Sequence, residues 1–567
     1  MNRRTFFTKL GVPVVATGFL TQTRAVQERA NARAGKNEVS ADLVIIGASL
    51  GGCAAALGAL RNGLRVILTE ETDWIGGQLT SQAVPPDEHQ WIETHGCTAS
   101  YRALRSRIRE FYRRNYPLTE AARATVALNP GDGFVSRLCH EPRVALAVLE
   151  KMFAPFVSRG ALRLLLETKA ISADVRNDAV RAVKVVDLRS RNERVLTAPF
   201  FIDATELGDL LPLTKTEFVT GAESRAKTGE LHAAAKADAS NQQAFTMCFA
   251  VDHDPHGEHV IDKPKDYGFW RNFLPKLQPS WPGKLLDLTY THPATLQPRT
   301  LGFNPDGETS GPLNLWKYRR LISRRNFTEG KYRGDISLVN WPQNDYLLGN
   351  LVGVSEREQA RHIACATQLS LSLLYWLQTE VPREDGKQGW PGLRLRGDLL
   401  GTNTGVAKFP YVREARRIQA EFTILEGHVG LEQRAKELGI SPAEVKAEQL
   451  PDSIGIGSYP IDLHPTTSGD NYIDFQTRPF QIPLGTLLPV RVNNLLPVCK
   501  NIGTTHVTNG CYRLHPVEWN IGEAAGLLIT FAEKKKTLPR AVRATPHLLA
   551  EFQSWIREQG IQTGWPT

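Results

Sequence analysis

Asp42–Thr80 reads DLVIIGASLGGCAAALGALRNGLRVILTEETDWIGGQLT. Leu43–Ile46 is a short apolar run that stops at Gly47, the pattern of a buried strand. Gly47-Ala48-Ser49-Leu50-Gly51-Gly52 follows, then an alanine-rich helical run, Cys53–Leu60, with Gly63 placed to end it. Leu64–Thr69 is a second strand, closed by Glu70. Strand, glycine turn, helix, strand and acid in this order fit a dinucleotide-binding βαβ unit. Gly47 permits a tight turn off the strand. The helix N-terminus offers unsatisfied N–H groups and the positive end of its dipole to a pyrophosphate. Gly52 removes a side chain where helix and strand pack closely. Glu70, 23 residues after Gly47, is placed to accept hydrogen bonds from ribose hydroxyls. Ser49 stands where the fingerprint has its second glycine.

The same residues admit two other readings. Gly47-Ala48-Ser49-Leu50-Gly51 fits G-x-S-x-G, the strand–turn–helix elbow that carries a nucleophilic serine in α/β-hydrolases. Against it, an elbow comes after several strands, whereas this is the first strand after the N-terminal segment. It also leaves Glu70 and Gly76-Gly77 without a role. The third reading is a plain glycine turn in some other βαβ protein.

The chain has 567 residues, enough for a large core and two or more domains. It is 41% hydrophobic and 22% charged, with a formal charge of +9. Its basic residues are scattered in short runs such as Lys534–Lys536, which describes a solvated basic surface and not a nucleic-acid partner. Asn2-Arg3-Arg4-Thr5-Phe6-Phe7-Thr8-Lys9, followed by apolar Leu10–Leu20, resembles a twin-arginine export signal and is too short to span a bilayer. A signal segment over residues 1–34, cleaved after Ala32-Arg33-Ala34 or near Ala25, predicts an exported, periplasmic protein. No other stretch approaches 18 consecutive apolar residues, so no membrane span is expected in the mature chain. The seven cysteines form no C-x-x-C and no zinc spacing, and their odd number leaves at least one unpaired. Neither a catalytic disulfide nor a metal site is expected.

Further along, Tyr101–Tyr112 reads as a basic amphipathic helix with a solvated face, and Leu138–Met152 as another helix. Leu162–Asp174, Ala179–Asp187, Arg194–Leu196 and Phe200–Ala204 read as strands. Residues 212–480 are rich in proline and tryptophan and lack clean βα repeats. Gln359–Gln378 is the clearest helix there, and Leu431–Leu438 and Pro442–Leu450 read as short charged ones. Leu495–Val498 is a late strand. His515-Pro516-Val517 opens a helix that runs through Gly522 and Gly526 with its N-terminus aimed inward.

The opening stretch is joined in order by GGQLTSQ (Gly76–Gln82), SRLCHEPRVALAVLE (Ser136–Glu150), FIDATELGDLLPL (Phe201–Leu213), YVREARRI (Tyr411–Ile418), DSIGIGSYPIDLH (Asp452–His464) and YRLHPVEWNIGEAAG (Tyr512–Gly526). Together they resemble the FAD-dependent oxidoreductases of the glutathione-reductase-like flavoprotein superfamily. More narrowly, they resemble a bacterial family that includes proteins labelled xanthan-lyase-like. The resemblance implies an α/β fold: a Rossmann-like FAD-binding domain in two parts (residues 41–211 and 481–535), a large inserted α+β substrate domain (212–480), and a C-terminal helix or tail (536–567). It implies that Gly47, Ser49, Gly51 and Gly52 hold the FAD pyrophosphate and Glu70 the adenosine ribose. Gly76, Gly77 and Gln78 would line the pyrophosphate and flavin side. The strand at Thr168–Ala170 would meet adenine, Ala204 and Thr205 would turn beside the cofactor, and the Val517 and Glu518 N–H groups would face flavin N1/C2=O. The chain departs from the pattern at Cys499-Lys500-Asn501, where many members carry Gly-Asp. That leaves Asn501 or Lys500 for the ribityl contact.

The implied activity is oxidation of a small envelope substrate (a carbohydrate, alcohol, amine or phenol) by hydride transfer to flavin N5, with a base removing a proton. His506, Arg513 and His515 flank the inward helix and are candidates for catalysis. Arg413, Asp462 and His464 join them from the inserted region. His515, directly before the helix N-terminus, is the best placed. Arg413 either anchors an anionic substrate or pairs with Glu414 or another buried carboxylate. No second nucleotide fingerprint is present, which leaves oxygen, a quinone or a periplasmic carrier as electron acceptor. A non-redox flavoprotein, an FAD-binding scaffold and a Ser49 hydrolase are the alternatives.

Overall fold

A computed structural model describes residues 37–566; the signal segment expected over residues 1–34 lies outside the described residues. The labelled elements are β1 (Glu38–Ser40), β2 (Leu43–Ile46), α1 (Leu50–Arg61), β3 (Val66–Thr69), α2 (Ala99–Asn115), α3 (Pro142–Ser158), β4 (Leu162–Leu165), β5 (Thr168–Arg176), β6 (Ala179–Asp187), β7 (Glu193–Thr197), β8 (Phe200–Asp203), β9 (Leu495–Pro497), α4 (His506–Tyr512) and α5 (His515–Lys535).

Five strands form a parallel sheet in the order β9–β8–β2–β3–β4. β2 and β8 are buried at every position, as parallel strands covered on both faces must be. Ile46 and Pro497 both pair with Asp203, so β2, β8 and β9 end side by side. An open α/β sheet places its crevice at such strand ends. One strand of that crevice arrives almost three hundred residues after the others, so the layer is discontinuous in sequence.

On one face α1 packs on α5 through backbone. A Cβ on Gly522 would lie 2.0 Å from the Gly51 carbonyl oxygen, and one on Gly526 2.2 Å from that of Ala55. α1 is buried from Leu50 to Leu60, and α5 from His515 to Ala532. On the other face a four-stranded sheet, β1–β7–β6–β5, seals Val44, Ile46, Ile67 and Phe201 against Val183, Val185 and Leu196.

The region between β8 and β9 builds a second core. A four-stranded antiparallel sheet runs in the order Arg320–Ile322, Ile336–Val339, Phe249–His253, Leu393–Leu395. The helix Glu356–Thr379 packs Leu369, Leu373 and Leu377 into the core this sheet shares with Trp316, Trp341 and Trp390.

Some local readings change. Leu162–Asp174, read as one strand, is broken at Leu166-Glu167 into β4 and β5, which join different sheets. The helix expected over Tyr101–Tyr112 extends to Ala99–Asn115 as α2, and its arginines are not all solvated. Arg105 lies 2.8 Å from Glu88 and 2.6 Å from Glu93, and Arg109 2.6 Å from Glu93, pinning the irregular Ser81–Gly96 stretch to α2. Burial raises the Glu93 pKa, but the two guanidinium groups outweigh it and hold the carboxyl at about 2. Pro442–Leu450 forms no helix: Val445 alone is fully buried and Leu450 alone touches the main core, so packing does not repay the ordering of a helix. None of the seven cysteines is paired. No helix among the described residues is long and apolar enough to cross a membrane.

Candidate functional site

Four loops converge at the carboxyl ends of the parallel strands. The first follows β2. Gly47 has φ +93°, and a Cβ there would lie 2.4 Å from the Ala204 carbonyl oxygen, so the turn requires glycine. Ser49 is the N-cap of α1: its Oγ accepts the Gly52 N–H at 3.2 Å. The Gly51 N–H donates to Glu518 Oε1 at 3.0 Å. The N–H groups of Ser49 and Leu50 have no acceptor among the described residues. They are the open end of the helix dipole. Glu70 closes the loop from behind, accepting the Ala48 N–H at 3.0 Å and the Thr72 N–H and hydroxyl at 2.9 Å.

The second loop carries Gly76 (φ +107°) and Gly77 (φ +47°) into a short 3₁₀ turn. A Cβ on Gly77 would lie 3.0 Å from Ser49 Cα and collide with Glu206 Oε1. The third follows β8. Asp203 accepts the Thr205 N–H at 3.0 Å, the Thr205 hydroxyl at 2.7 Å and the Leu210 N–H at 3.1 Å, which folds Ala204–Asp209 into a compact turn. The fourth is Cys499–Asn501. Asn501 ties β9 to β8, donating to the Asp203 carbonyl at 3.1 Å and accepting the Cys499 N–H at 2.9 Å. Lys500 is buried, bonded to Glu206 and 3.6 Å from Glu518, and so supplies the cation for the Glu206–Cys499–Glu518 cluster.

Between the first three loops and β5 lies a crevice lined among others by Gly47, Ser49, Glu70, Ala170, Thr205 and Glu206. Gly51, Gly52, Gly76, Gln78, Asn501, Val517 and Glu518 stand behind that lining. The two glycines of α1 act there through close packing, against Val498 and against Gly47 and Ala204. The Glu518 N–H is taken by the Leu514 carbonyl at 2.8 Å, so its carboxylate, not its backbone, faces the loops. Gln78 Oε1, both polar atoms of Gln82 and Glu206 Oε1 are buried without a partner among the described residues. Open helix-terminal N–H groups, Cβ-free walls and orphaned amides are what a dinucleotide would complete. The residues therefore fit FAD.

The family of FAD dependent oxidoreductases matches residues 42–555. The chain belongs to that family. FAD is its cofactor. The match is to the family as a whole, and the narrower likeness to proteins labelled xanthan-lyase-like remains a resemblance of sequence. Comparison with curated proteins finds no match. Among solved structures, an L-proline dehydrogenase from P. horikoshii aligns at 19% identity over 33% of this chain and 24% of that one, with a TM-score of 0.17. A glycerol-3-phosphate dehydrogenase from Bacillus halodurans, complexed with FAD, aligns at 15% over 40% and 42%, with a TM-score of 0.23. A myxobacterial chondrochloren halogenase aligns at 15% over 39% and 45%, with a TM-score of 0.20. The chain spans less than half the length of each of these proteins.

Beyond the FAD loops this oxidoreductase holds a cleft of about 160 Å³. Gln278, Pro279 and Leu296 are exposed at its mouth; His464, His506 and Tyr472 lie deeper. His506 opens α4, its N–H donated to Glu223 at 2.9 Å. Its Nδ1 is 3.0 Å from Glu414, which also binds Arg417. Burial lowers the His506 pKa, but the Glu414 carboxylate outweighs it and the net shift is upward. His464 Nδ1 is 2.6 Å from Asp345, and its Nε2 is 3.5 Å from Asp462. Arg413 pairs with Asp345 at 3.0 Å, so of its two readings the structure shows the buried carboxylate pair. Burial raises the Asp345 pKa, and Arg413 with His464 brings it down to about 2. Arg513 donates to Asp462 at 3.0 Å and to the Tyr411 hydroxyl at 3.2 Å.

His515, best placed by sequence, has both ring nitrogens engaged. Nδ1 accepts the Asp87 N–H at 3.1 Å and Nε2 donates to the Val84 carbonyl at 3.3 Å. Burial pushes its pKa down to about 3. It is a neutral strut that holds the Val84–Asp87 loop on the start of α5. Tyr411 and Tyr459, from two of the quoted segments, also gather here with Asp87, Tyr318 and Arg319, which carry no local sequence signal. Arg319 lies 3.1 Å from Asp87.

Two expected results concern the FAD loops. Ser49→Ala removes the cap of α1, costing about 1 kcal/mol. It keeps the flavin and leaves any activity on substrate within a few-fold. Loss of an esterase activity with retained yellow colour would instead restore the hydrolase reading. Burial, against hydrogen bonds from Thr72 and Ala48, raises Glu70 to about 7. The folded apoprotein therefore holds this proton up to a higher pH than the unfolded chain does, and stability falls as pH rises from about 4.5 to 7. Thermal melts of the apoprotein at pH 5 and pH 7.5 should differ less in Glu70→Gln than in the wild type.

Proposed function

We propose that this oxidoreductase oxidises a hydroxyl-bearing small molecule, with His506 as the base that takes the hydroxyl proton. Bound FAD supplies the hydride acceptor at N5. One arrangement supports the reading most directly: Glu414 occupies His506 Nδ1, so Nε2 is the ring nitrogen left to the cleft. A carboxylate on Nδ1 fixes the tautomer and steadies the imidazolium formed when Nε2 takes a proton. His464, held on Asp345, is the second imidazole of the cleft and is placed to orient a neighbouring hydroxyl. Ser49, Leu50 and Glu70 hold the dinucleotide, and Asn501 and Lys500 fix the loop beneath it. His515 keeps the Val84–Asp87 loop closed over the same wall.

An export signal at the N-terminus would put this chemistry in the periplasm, with oxygen, a quinone or a periplasmic carrier taking the electrons. Division of labour between a two-part FAD domain and the region over residues 212–480 follows the same reading. The test is anaerobic addition of sugars, polyols, hydroxy acids and simple alcohols to the holoprotein while the flavin absorbance is followed. Bleaching by a hydroxyl compound in the wild type, lost in His506→Asn, is the expected result. Bleaching by amines alone removes the alcohol from the proposal, and no bleaching by any compound favours a non-redox flavoprotein.

A further inference from the structure

We infer that Arg319 and Arg513 receive a carboxylate of the substrate, which makes the substrate a hydroxy acid of the sugar-acid kind. The inference deepens the oxidation proposed above and rests on it for the hydroxyl. Arg319 and Arg513 are 7% and 2% exposed. Among the described residues no acceptor is bonded to the Nε–H of either one, nor to that of Arg413. A guanidinium has five donors and no acceptor, and leaving one unmet in a buried place is destabilising. Their partner carboxylates do not meet the need. Asp462 binds Arg513 through Nη2, and Asp87 lies against the terminal nitrogens of Arg319. The half-buried phenols of Tyr318 and Tyr459 flank the pair, and their hydroxyls have no partner among the described residues. Unmet donors exceed unmet acceptors, so the fitting ligand is rich in acceptors. A carboxylate gives two oxygens in the plane that a guanidinium recognises.

The two arginines are brought together by one device. Asp87 pairs with Arg319, and its N–H is held by His515, two residues beyond Arg513. From Arg513 the path to the cleft is short: Asp462 bonds Arg513 at 3.0 Å and stands 3.5 Å from His464, which lines the cleft beside His506. A molecule held by its carboxylate at the arginines thus extends hydroxyls toward the imidazoles. Gln278, exposed at the mouth of the cleft, suits a further hydroxyl group.

The test compares glucuronate and gluconate with glucose and glucuronamide, using the holoprotein anaerobically. The readouts are flavin bleaching, perturbation of the flavin spectrum, and thermal shift. The acids should act at concentrations at least tenfold lower than the amide and the neutral sugar. In Arg319→Gln that preference should shrink by tenfold or more through KM, with kcat changing less, and Arg319→Lys should restore part of it. Equal response to acid and amide in the wild type overturns the inference, and so does a preference that survives Arg319→Gln in a variant with full flavin content. If Arg319→Gln fails to fold, the wild-type contrast of acid with amide decides alone. The two proposals fail separately. Bleaching by hydroxyl compounds regardless of carboxylate leaves the oxidation standing without the carboxylate site. Arginine-dependent spectral shifts by acids without bleaching leave the carboxylate site without the oxidation.

Discussion

His506→Asn should slow substrate-driven flavin reduction by about 10²- to 10⁴-fold, the usual contribution of a positioned general base. The variant should still purify yellow. The residue is 7% exposed and opens α4 through its N–H on Glu223, a contact that asparagine keeps because it is made by backbone. Asparagine can hydrogen-bond Glu414 but cannot take a proton. Rapid-mixing absorbance, with each variant first titrated for flavin content, separates loss of chemistry from loss of cofactor. The pH dependence carries a sign. Glu414 raises the His506 pKa above the ordinary histidine value against the effect of burial. The base is therefore protonated at low pH, and the reduction rate should rise with pH through a value above about 6.5. In Glu414→Gln that limb should move to lower pH, because the charge that favours imidazolium is gone. A wild-type rate that falls as pH rises from 6 to 8, or a His506→Asn rate within threefold of wild type, would remove His506 from the chemistry.

The FAD side of the molecule is legible because its geometry is local. Gly47, Ser49 and Gly52 lie within six residues, and Glu70 follows at the spacing of one βαβ unit. Backbone sterics impose such spacing. Even there the sequence misassigns work between neighbours: Gly51 reads as a phosphate contact, whereas its N–H is spent on Glu518, which lies 467 residues away. The cleft is legible only in fragments. Arg319 and Asp87 are 232 residues apart, His464 and Asp345 119, and His506 and Glu414 92. No periodicity links such pairs, and a single arginine in a polar stretch carries no mark of burial. His515 shows the opposite failure. Its place before α5 puts it near the site, but the Val84–Asp87 loop decides which way the ring faces, and that loop has no regular structure to read. In α2 the amphipathic pattern correctly gave a helix. It could not show that the irregular segment before it supplies Glu88 and Glu93 to Arg105 and Arg109.

Gly51→Val should yield no stable holoprotein, a loss above about 4 kcal/mol of the kind reserved for backbone collisions in a core. A Cβ at this position would lie 1.9 Å from the Val498 carbonyl oxygen and 3.2 Å from Glu518 Cγ. Neither neighbour can yield. Val498 follows β9, and its own N–H is bonded to Asp203 on β8, so the carbonyl is fixed by the sheet. Gly522 of α5 approaches the same residue so closely that its own Cβ would lie 2.0 Å from the Gly51 carbonyl. Relief requires the first turn of α1 to lift from the sheet and from α5 together. That displacement carries the open Ser49 and Leu50 N–H groups out of the crevice and breaks the Gly51–Glu518 hydrogen bond, so stability and FAD affinity should fall as one event. Gly268→Ala is the control. It sits inside the helix Tyr267–Asn272, and a Cβ there would meet nothing within 4 Å. Because alanine loses less backbone entropy than glycine on folding, this change should be neutral or stabilising by up to about 1 kcal/mol. Flavin-to-protein ratio and thermal melting of the two variants decide the matter. If Gly51→Val keeps its flavin and melts within a few degrees of wild type, α1 and α5 do not meet through bare backbone, and the assignment of the pyrophosphate to Ser49 and Leu50 loses its frame.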